Sequence, residues 1–411
     1  MERQMRRNVL FNTAGSLLFY ICQAAITLLV TALAGPEANG LLATGMTIAN
    51  VCLSAASYGM RTFQVSDLSG KYTDRSYLLS RYITLTAAGL GCLVFSFVNS
   101  YSAQQRWVIF LYTGYRLIES WSDVWHGYLQ KAERIDIVGI SFGVRGIVTA
   151  LSVTLGLLLT KDLVLTLAVL FALNAAYVLV VDIPLARRRA DFKRTGGAGV
   201  KALLLECLPL AVYAFLNTTI ASVPRYYCER ILGSVKLGYF NNVFLPVMIL
   251  QVAVIYLFVP FITTFARLWT DRNGKGFYKG LRLLGAALVA LWIAGTIGVA
   301  LLGRWGLSIL YPTTPEVLDY APLLGPLVLA TVCTVAATVL CHLLTIAREM
   351  RGLILGNLAG LAAALLASQP LLRAFDVYGA AWATILGIGV QAIALLAFLL
   401  VRCKKQFAAN Q

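Results

Sequence analysis

Three arginines, Arg116, Arg145 and Arg225, fall inside long apolar segments. A charge in hydrocarbon costs at least ~2.5–3.5 kcal/mol on insertion scales. Arg116 is the centre of a group formed by Tyr112, Arg116, Glu119, Asp123 and His126, within the otherwise apolar run from Trp107 to Leu129. On a helix these five fall within an arc of about 80°. Arg116 and Glu119 stand i,i+3 and Glu119 and Asp123 i,i+4, so the side chains meet. One reading is a self-neutralising polar seam that joins helices. The other is the wall of a wet pathway, with a cationic anchor and protonatable carboxylates. Five polar or aromatic residues on one face exceed what packing requires, which favours the pathway. Arg145 has Ser141 one turn before it and Ser152 two turns after it. It is read as a partner for Glu119 or Asp123, a role compatible with a place in the same cavity.

Further charges have two readings each. Glu206 opens a later apolar segment, either as a partner of Lys201, the preferred reading, or as an ion-coupling acid. Asp182 reads as an interfacial acid beside Arg187–Arg189. Arg61, in the stretch Tyr58–Asp67, is an ordinary interfacial cation or a first contact for an anionic headgroup, whose phosphate suits the planar guanidinium fork. Arg348 has the same two readings. No catalytic signature is present: neither His126 nor His342 stands in a nucleophile–base or metal-ligand pattern. There is also no Walker A loop. His342 reads as a packed helix residue. The eight cysteines form no CxxC pair, and most lie in apolar segments as small buried side chains. The chain is therefore expected to be no enzyme and to hold no metal or cofactor.

The elements that must position these residues follow from composition. The chain is 59 % hydrophobic and 13 % charged, outside the soluble globular range. Its apolar runs are mostly about 20 residues or longer, enough to cross a ~30 Å hydrocarbon core as helices. Twelve spans are expected, at roughly 8–33, 39–60, 82–100, 107–129, 137–160, 163–185, 204–231, 239–263, 283–302, 320–346, 352–372 and 376–401. The first run is too long for a signal-peptide core and reads as a transmembrane helix. Of the 34 Lys and Arg residues, 25 fall in one set of connections, six in the opposite set and three in the membrane. This asymmetry places both termini in the cytoplasm. It also accounts for the net charge of +16, with anionic lipid headgroups rather than nucleic acid as the partner.

A repeat is visible. Gly35-Pro36-Glu37-Ala38-Asn39-Gly40 and Gly233-Ser234-Val235-Lys236-Leu237-Gly238 share a Gly-x4-Gly frame and apolar flanks, 198 residues apart. Two six-helix halves in the same orientation are expected: residues 1–186 and 202–411, joined by a basic cytoplasmic linker at 187–201. The repeat places Arg225 within the seventh span, opposite Thr27 of the first. Pro209 and Pro224 are expected to bend that helix.

Several segments together resemble the polysaccharide-transporter branch of the multidrug/oligosaccharidyl-lipid/polysaccharide (MOP) flippase superfamily, including Wzx-type O-antigen flippases. They are Tyr58-Gly59-Met60-Arg61 through Ser66-Asp67, Tyr115 through Ser120 with Asp123, His126-Gly127 and Gln130-Lys131, Pro224-Arg225-Tyr226 with Leu237-Gly238-Tyr239-Phe240, and Tyr378 through Thr384. The resemblance implies a V-shaped pair of bundles around a cavity, in a bacterial cytoplasmic membrane. It implies that an undecaprenyl-pyrophosphate-linked oligosaccharide is moved from the inner to the outer leaflet. Related flippases hold the pyrophosphate with cavity arginines, and the matching positions are Arg116 and Arg225. The chain is too short for the two extra helices of the lipid II flippases.

The expected function is a flippase working by alternating access. Arg116, Arg225 and Arg145 bind the diphosphate, Arg61 recruits it, and Tyr112, Tyr115, Tyr226, Tyr227 and Tyr239 face the sugars. Glu119 and Asp123 tune the arginines and are candidates for coupling to H⁺ or Na⁺. Membrane lipids, a glycan polymerase and glycosyltransferases are the partners this implies, as part of lipopolysaccharide or other polysaccharide biosynthesis. One rival is an ion-coupled MATE-type exporter, whose cavity should be carboxylate-dominated. Another is a non-transporting scaffold of a glycan-assembly complex.

Overall fold

The computed structural model describes residues 2–67, 70–192, 197 and 199–408. Lys193 and Arg194 of the expected linker, and the side chain of Arg3, lie outside the described residues. The fold is all-α. Helices run α1 Glu2–Ser57, α2 Met60–Ser66, α3 Asp74–Val98, α4 Ala103–Lys131, α5 Ile135–Thr160 and α6 Leu163–Tyr177. A π-helical turn, Val178–Asp182, leads into α7 Ile183–Arg187. Then come α8 Val200–Leu232, α9 Ser234–Thr270, α10 Gly274–Leu310, a 3₁₀ segment Pro315–Leu323, α11 Leu324–Ile346, α12 Met350–Phe375 and α13 Val377–Ala408. Among the described residues, nine helices are long and apolar enough to cross a membrane, the first of them covering two expected spans. The charged face of α4 keeps that helix out of the nine.

The repeat is written in the backbone. Gly35 splits α1 at φ 85°, ψ 175°, and Gly233, between α8 and α9, has φ 87°, ψ 171°. This region of conformational space is essentially glycine-only. A Cβ at either site would meet nothing within 4 Å, so conformation rather than space demands glycine. Pro36 follows at the first position of the new helix, where its missing N–H costs nothing. Several other helix starts carry ordinary side-chain caps. Ser102 and Gln105 close a capping box on α4, and Thr73 and Asp162 cap α3 and α6.

Contacts divide the chain into residues 1–215 and 216–411. The division falls inside α8, not in the 187–201 linker, and the packing gives the reason. Leu203 and Cys207 of α8 join the N-terminal core with Met60, Tyr72, Tyr77 and Tyr128. α8 is continuous across Pro209 and Pro224.

In the N-terminal unit α1 packs along α5 through glycines. A Cβ on Gly139 would strike the backbone of Phe11 and Asn12, and one on Gly146 would crowd Phe19. Small residues allow such close approach in lipid, where association relies on van der Waals contact. With Gly139, Gly143 and Gly146 turned to α1, helical periodicity turns Ser141, Arg145, Thr149 and Ser152 to the bundle interior. The C-terminal unit repeats the device. Gly352, Gly356 and Gly360 of α12 seat Phe398, Leu395 and Gln391 of α13. Gln391 Nε2 donates to Asn357 Oδ1 at 2.8 Å and to Asn217 Oδ1 at 2.9 Å, joining α13 to α12 and α8.

Candidate functional site

The charged face of α4 exists, and three arginines meet two carboxylates on it. Arg116 pairs with Glu119 one turn away. Asp123 takes Arg61 on one oxygen and Arg81 on the other, the second at 3.4 Å. Arg61 also donates to Gln130 Oε1 at 3.1 Å. The side chains of Arg61, Arg116, Glu119 and Asp123 keep between 16 % and 27 % of their accessibility, so they are held yet reachable. At one end the face closes. Tyr112 packs edge-on against Tyr115 in the core with Ile26, Val108 and Leu170, away from any accessible surface. Tyr115 Oη bonds Gln23 Nε2 and Thr149 Oγ1. These two tyrosines are packing residues in this bundle, not exposed ring faces.

Arg81, which falls just outside the span expected at 82–100 and so among the 25 connecting cations, is instead wholly buried in α3. It donates to the Ala56 carbonyl at 2.6 Å and to Ser120 Oγ at 2.9 Å. The apolar run begins only at Tyr82, which set the expected boundary of that span. The overlooked signal is the cap: Thr73 and Asp74 start the helix two turns earlier and carry Tyr77, Arg81 and Thr84 on one buried face.

His126 does not belong with the accessible face. Its Nε2 lies 3.3 Å from Asp182 Oδ2, and both side chains are 1 % exposed. Asp182 accepts Ser122 Oγ and Ser141 Oγ at 2.7 Å each. It is therefore no interfacial acid beside Arg187–Arg189; the π-helical turn that ends at Asp182 aims it into the bundle. Such turns occur often at functional sites. Arg145 meets neither Glu119 nor Asp123, which are already taken. It is fully buried, and its Nε and both Nη atoms make no hydrogen bond among the described residues.

Glu206 pairs with Lys71 rather than Lys201, and both are exposed. Outside the membrane-spanning helices, Lys71 is held above the usual lysine range by its hydrogen bond to that carboxylate. His342 is exposed on α11 instead of packed. All eight cysteines are free, and Cys52 and Cys333 are the two that are not fully buried.

In the C-terminal unit Arg225 lies two turns before the end of α8, inside the helix as the repeat requires. Its guanidinium sits 4.4 Å from the ring centre of Phe244 on α9, a cation–π contact. Tyr226 and Tyr227 meet edge-on, and Tyr239 stacks on Tyr320 with centroids 4.8 Å apart.

No family model matches the chain. Over 310 residues it is 22 % identical to the capsular polysaccharide biosynthesis protein CapF of Staphylococcus aureus, covering 75 % of this chain and 77 % of CapF. An inward-facing multidrug-resistance MATE-family transporter of the MOP superfamily matches with TM-score 0.71 at 12 % identity, over 98 % of this chain and all of the transporter. The lipid II flippase MurJ, in an inward closed conformation, matches with TM-score 0.70 at 12 % identity, over 97 % of this chain and 90 % of MurJ. The chain thus has the fold of a MATE-family transporter of the MOP superfamily and of the lipid II flippase MurJ.

Proposed function

We propose that this protein is a flippase that moves an undecaprenyl-pyrophosphate-linked oligosaccharide from the inner to the outer leaflet of a bacterial cytoplasmic membrane. The observation that carries the reading is the cation excess at α4: among the described residues Arg61, Arg81 and Arg116 share two carboxylates, Glu119 and Asp123. A pyrophosphate cannot enter hydrocarbon bare, and guanidinium groups replace its hydration with charge-assisted hydrogen bonds. A pair such as Arg116–Glu119 keeps the arginine neutralised until a stronger anion displaces the carboxylate. Arg225 on its aromatic platform is the second anchor. Arg145 supplies buried positive charge, and Arg61 recruits the headgroup.

In this reading twelve helices cross the membrane as two six-helix bundles with both termini in the cytoplasm, and alternating access moves the headgroup while the prenyl tail stays in lipid. The similarity to CapF, a capsular polysaccharide biosynthesis protein, supports a glycan cargo made with a polymerase and glycosyltransferases. A MATE-type exporter of cationic drugs fits poorly, because such a cargo favours carboxylates. A scaffold without transport predicts that these arginines are dispensable.

The test is reconstitution with a defined undecaprenyl-diphosphate saccharide, measuring leaflet transfer with and without an H⁺ or Na⁺ gradient. Arg116→Ala and Arg225→Ala should each abolish transfer while the protein still inserts. Normal transfer in both variants would remove the assigned anchors.

A further inference from the structure

The interior of the N-terminal unit holds a second polar cluster that the substrate face does not use. Asp182, His126, Ser122 and Ser141 form a closed group, all nearly inaccessible. Hydrogen-bond roles fix one proton there. Both serine hydroxyls donate to Asp182, at 2.7 Å. Their protons are spent, so toward His126 Nε2, at 3.2 and 3.3 Å, each serine oxygen only accepts. Nε2 must therefore carry a hydrogen, shared with Asp182 Oδ2. A further proton goes to Nδ1, turning a neutral imidazole beside a carboxylate into an ion pair. His is the side chain whose ordinary titration falls between about pH 5 and pH 8.

One turn along α5 from Ser141 stands Arg145, without a hydrogen-bond partner among the described residues. A buried guanidinium needs a compensating charge. Tyr177, at the start of the π-helical turn, lies within electrostatic reach of both Asp182 and Arg145. Tyr115 lies within reach of Arg145, Arg116 and Glu119. The charged and titratable groups around the pair are thus Arg145 from α5 and Tyr177 from α6. α4 adds Glu119 and Asp123, already held by Arg116 and by Arg61 and Arg81. Phe142 of α5 covers the imidazole at 5.1 Å and itself packs on Phe19 of α1.

We propose that His126 and Asp182 form a proton-binding site, with Arg145, one turn along α5 from Ser141, as the fixed positive charge that opposes its occupancy. When a proton binds Nδ1, the imidazolium pairs with Asp182 and the cluster gains a positive charge beside an arginine that has no hydrogen-bond partner among the described residues. The site does not rest on the flippase reading.

The test uses the chain's two histidines. In the full-length protein labelled with ¹³C-histidine, the signal lost in His126→Gln assigns His126 against His342, and the His126 signal of the unsubstituted protein is followed against pH with no lipid-linked sugar present. The His126 resonance should shift as the ring takes up a proton, and Arg145→Gln should make that uptake easier and move its midpoint to higher pH, while Arg145→Lys leaves it nearly unchanged. Glu119→Gln should move it in the same sense as the loss of any neighbouring negative charge, downward, and by less than Asp182→Asn. If Asp182→Asn fails to fold, Ser141→Ala serves instead by removing one donor from the carboxylate and raising the midpoint. A resonance that does not titrate, or a midpoint indifferent to Arg145→Gln, overturns the proposal and leaves the flippase reading untouched. Failure of transport with a normal titration does the reverse.

Discussion

Replacing Gly35 or Gly233 by alanine isolates the backbone strain on which the two half-repeats turn. Both glycines have φ near +86° with ψ beyond 170°, and neither would bring a Cβ within 4 Å of another atom. Steric exclusion by neighbours is thus absent, and the whole penalty is the intrinsic cost of that conformation for an L-residue, about 1–3 kcal/mol. Against this, any Gly→Ala change lowers the entropy of the unfolded chain and favours folding by about 0.4–1 kcal/mol. The controls are Gly91 in α3 and Gly285 in α10, exposed helical glycines whose added Cβ would also touch nothing. There alanine should stabilise by about 0.5–1 kcal/mol. Subtracting control from test within each unit cancels the unfolded-state term and leaves the strain, about 1–3 kcal/mol. The assay is equilibrium unfolding in detergent by SDS titration, read by circular dichroism. Gly35→Asn should fare no better than Gly35→Ala, because asparagine tolerates ψ near +45°, not 175°. If Gly35→Ala and Gly233→Ala behave like their controls, or if asparagine rescues either site, the assignment of these glycines as obligatory hinges of the repeat is wrong.

Gln391→Leu should destabilise the C-terminal unit by about 1–3 kcal/mol, because it strands the Asn217 and Asn357 acceptors that Gln391 now satisfies; the same SDS titration measures it. Arg81→Met should cost about 1.5–3 kcal/mol and not more: the Ala56 carbonyl keeps its bond from Thr84 and Asp123 keeps Arg61. A larger loss would mean that Arg81 organises more of the bundle than its bonds indicate. Gly127→Ala should destabilise sharply, since the new Cβ would enter the carboxamide of buried Gln64, and Gln64→Ala in the same chain should restore part of the loss. Phe244→Leu should weaken transfer of the lipid-linked saccharide less than Arg225→Ala does, because it removes the platform at 4.4 Å but not the charge.

Several of the site's pairings were beyond reach of sequence spacing. Arg116–Glu119 is local, i,i+3 on one helix, and was legible. Arg61–Asp123 and Arg81–Asp123 join residues 62 and 42 positions apart, and their partners depend on how α2 and α3 are rotated against α4. The two-turn difference between the apolar run and the true start of α3 was enough to misplace Arg81. Asp182 looked interfacial because three arginines follow it. A single π-helical turn shifts the register of the residues beyond it and points this one inward. No hydropathy pattern reports such a turn.

The sequence alone determined that this chain lives in lipid, because runs of apolar residues have no other stable solvent. It set Gly35 and Gly233 in one repeated frame, and both hold a backbone conformation that is essentially glycine-only. It also marked Arg116, Arg145 and Arg225 as costly and therefore purposeful. Only the tertiary structure decided which charges answer them. Helix rotation and close glycine packing of α1 on α5 choose partners from residues far apart in the chain. That choice gave Arg116 to Glu119 and Asp182 to His126, left Arg145 without a hydrogen bond among the described residues, and separated a reachable face from a buried titratable one.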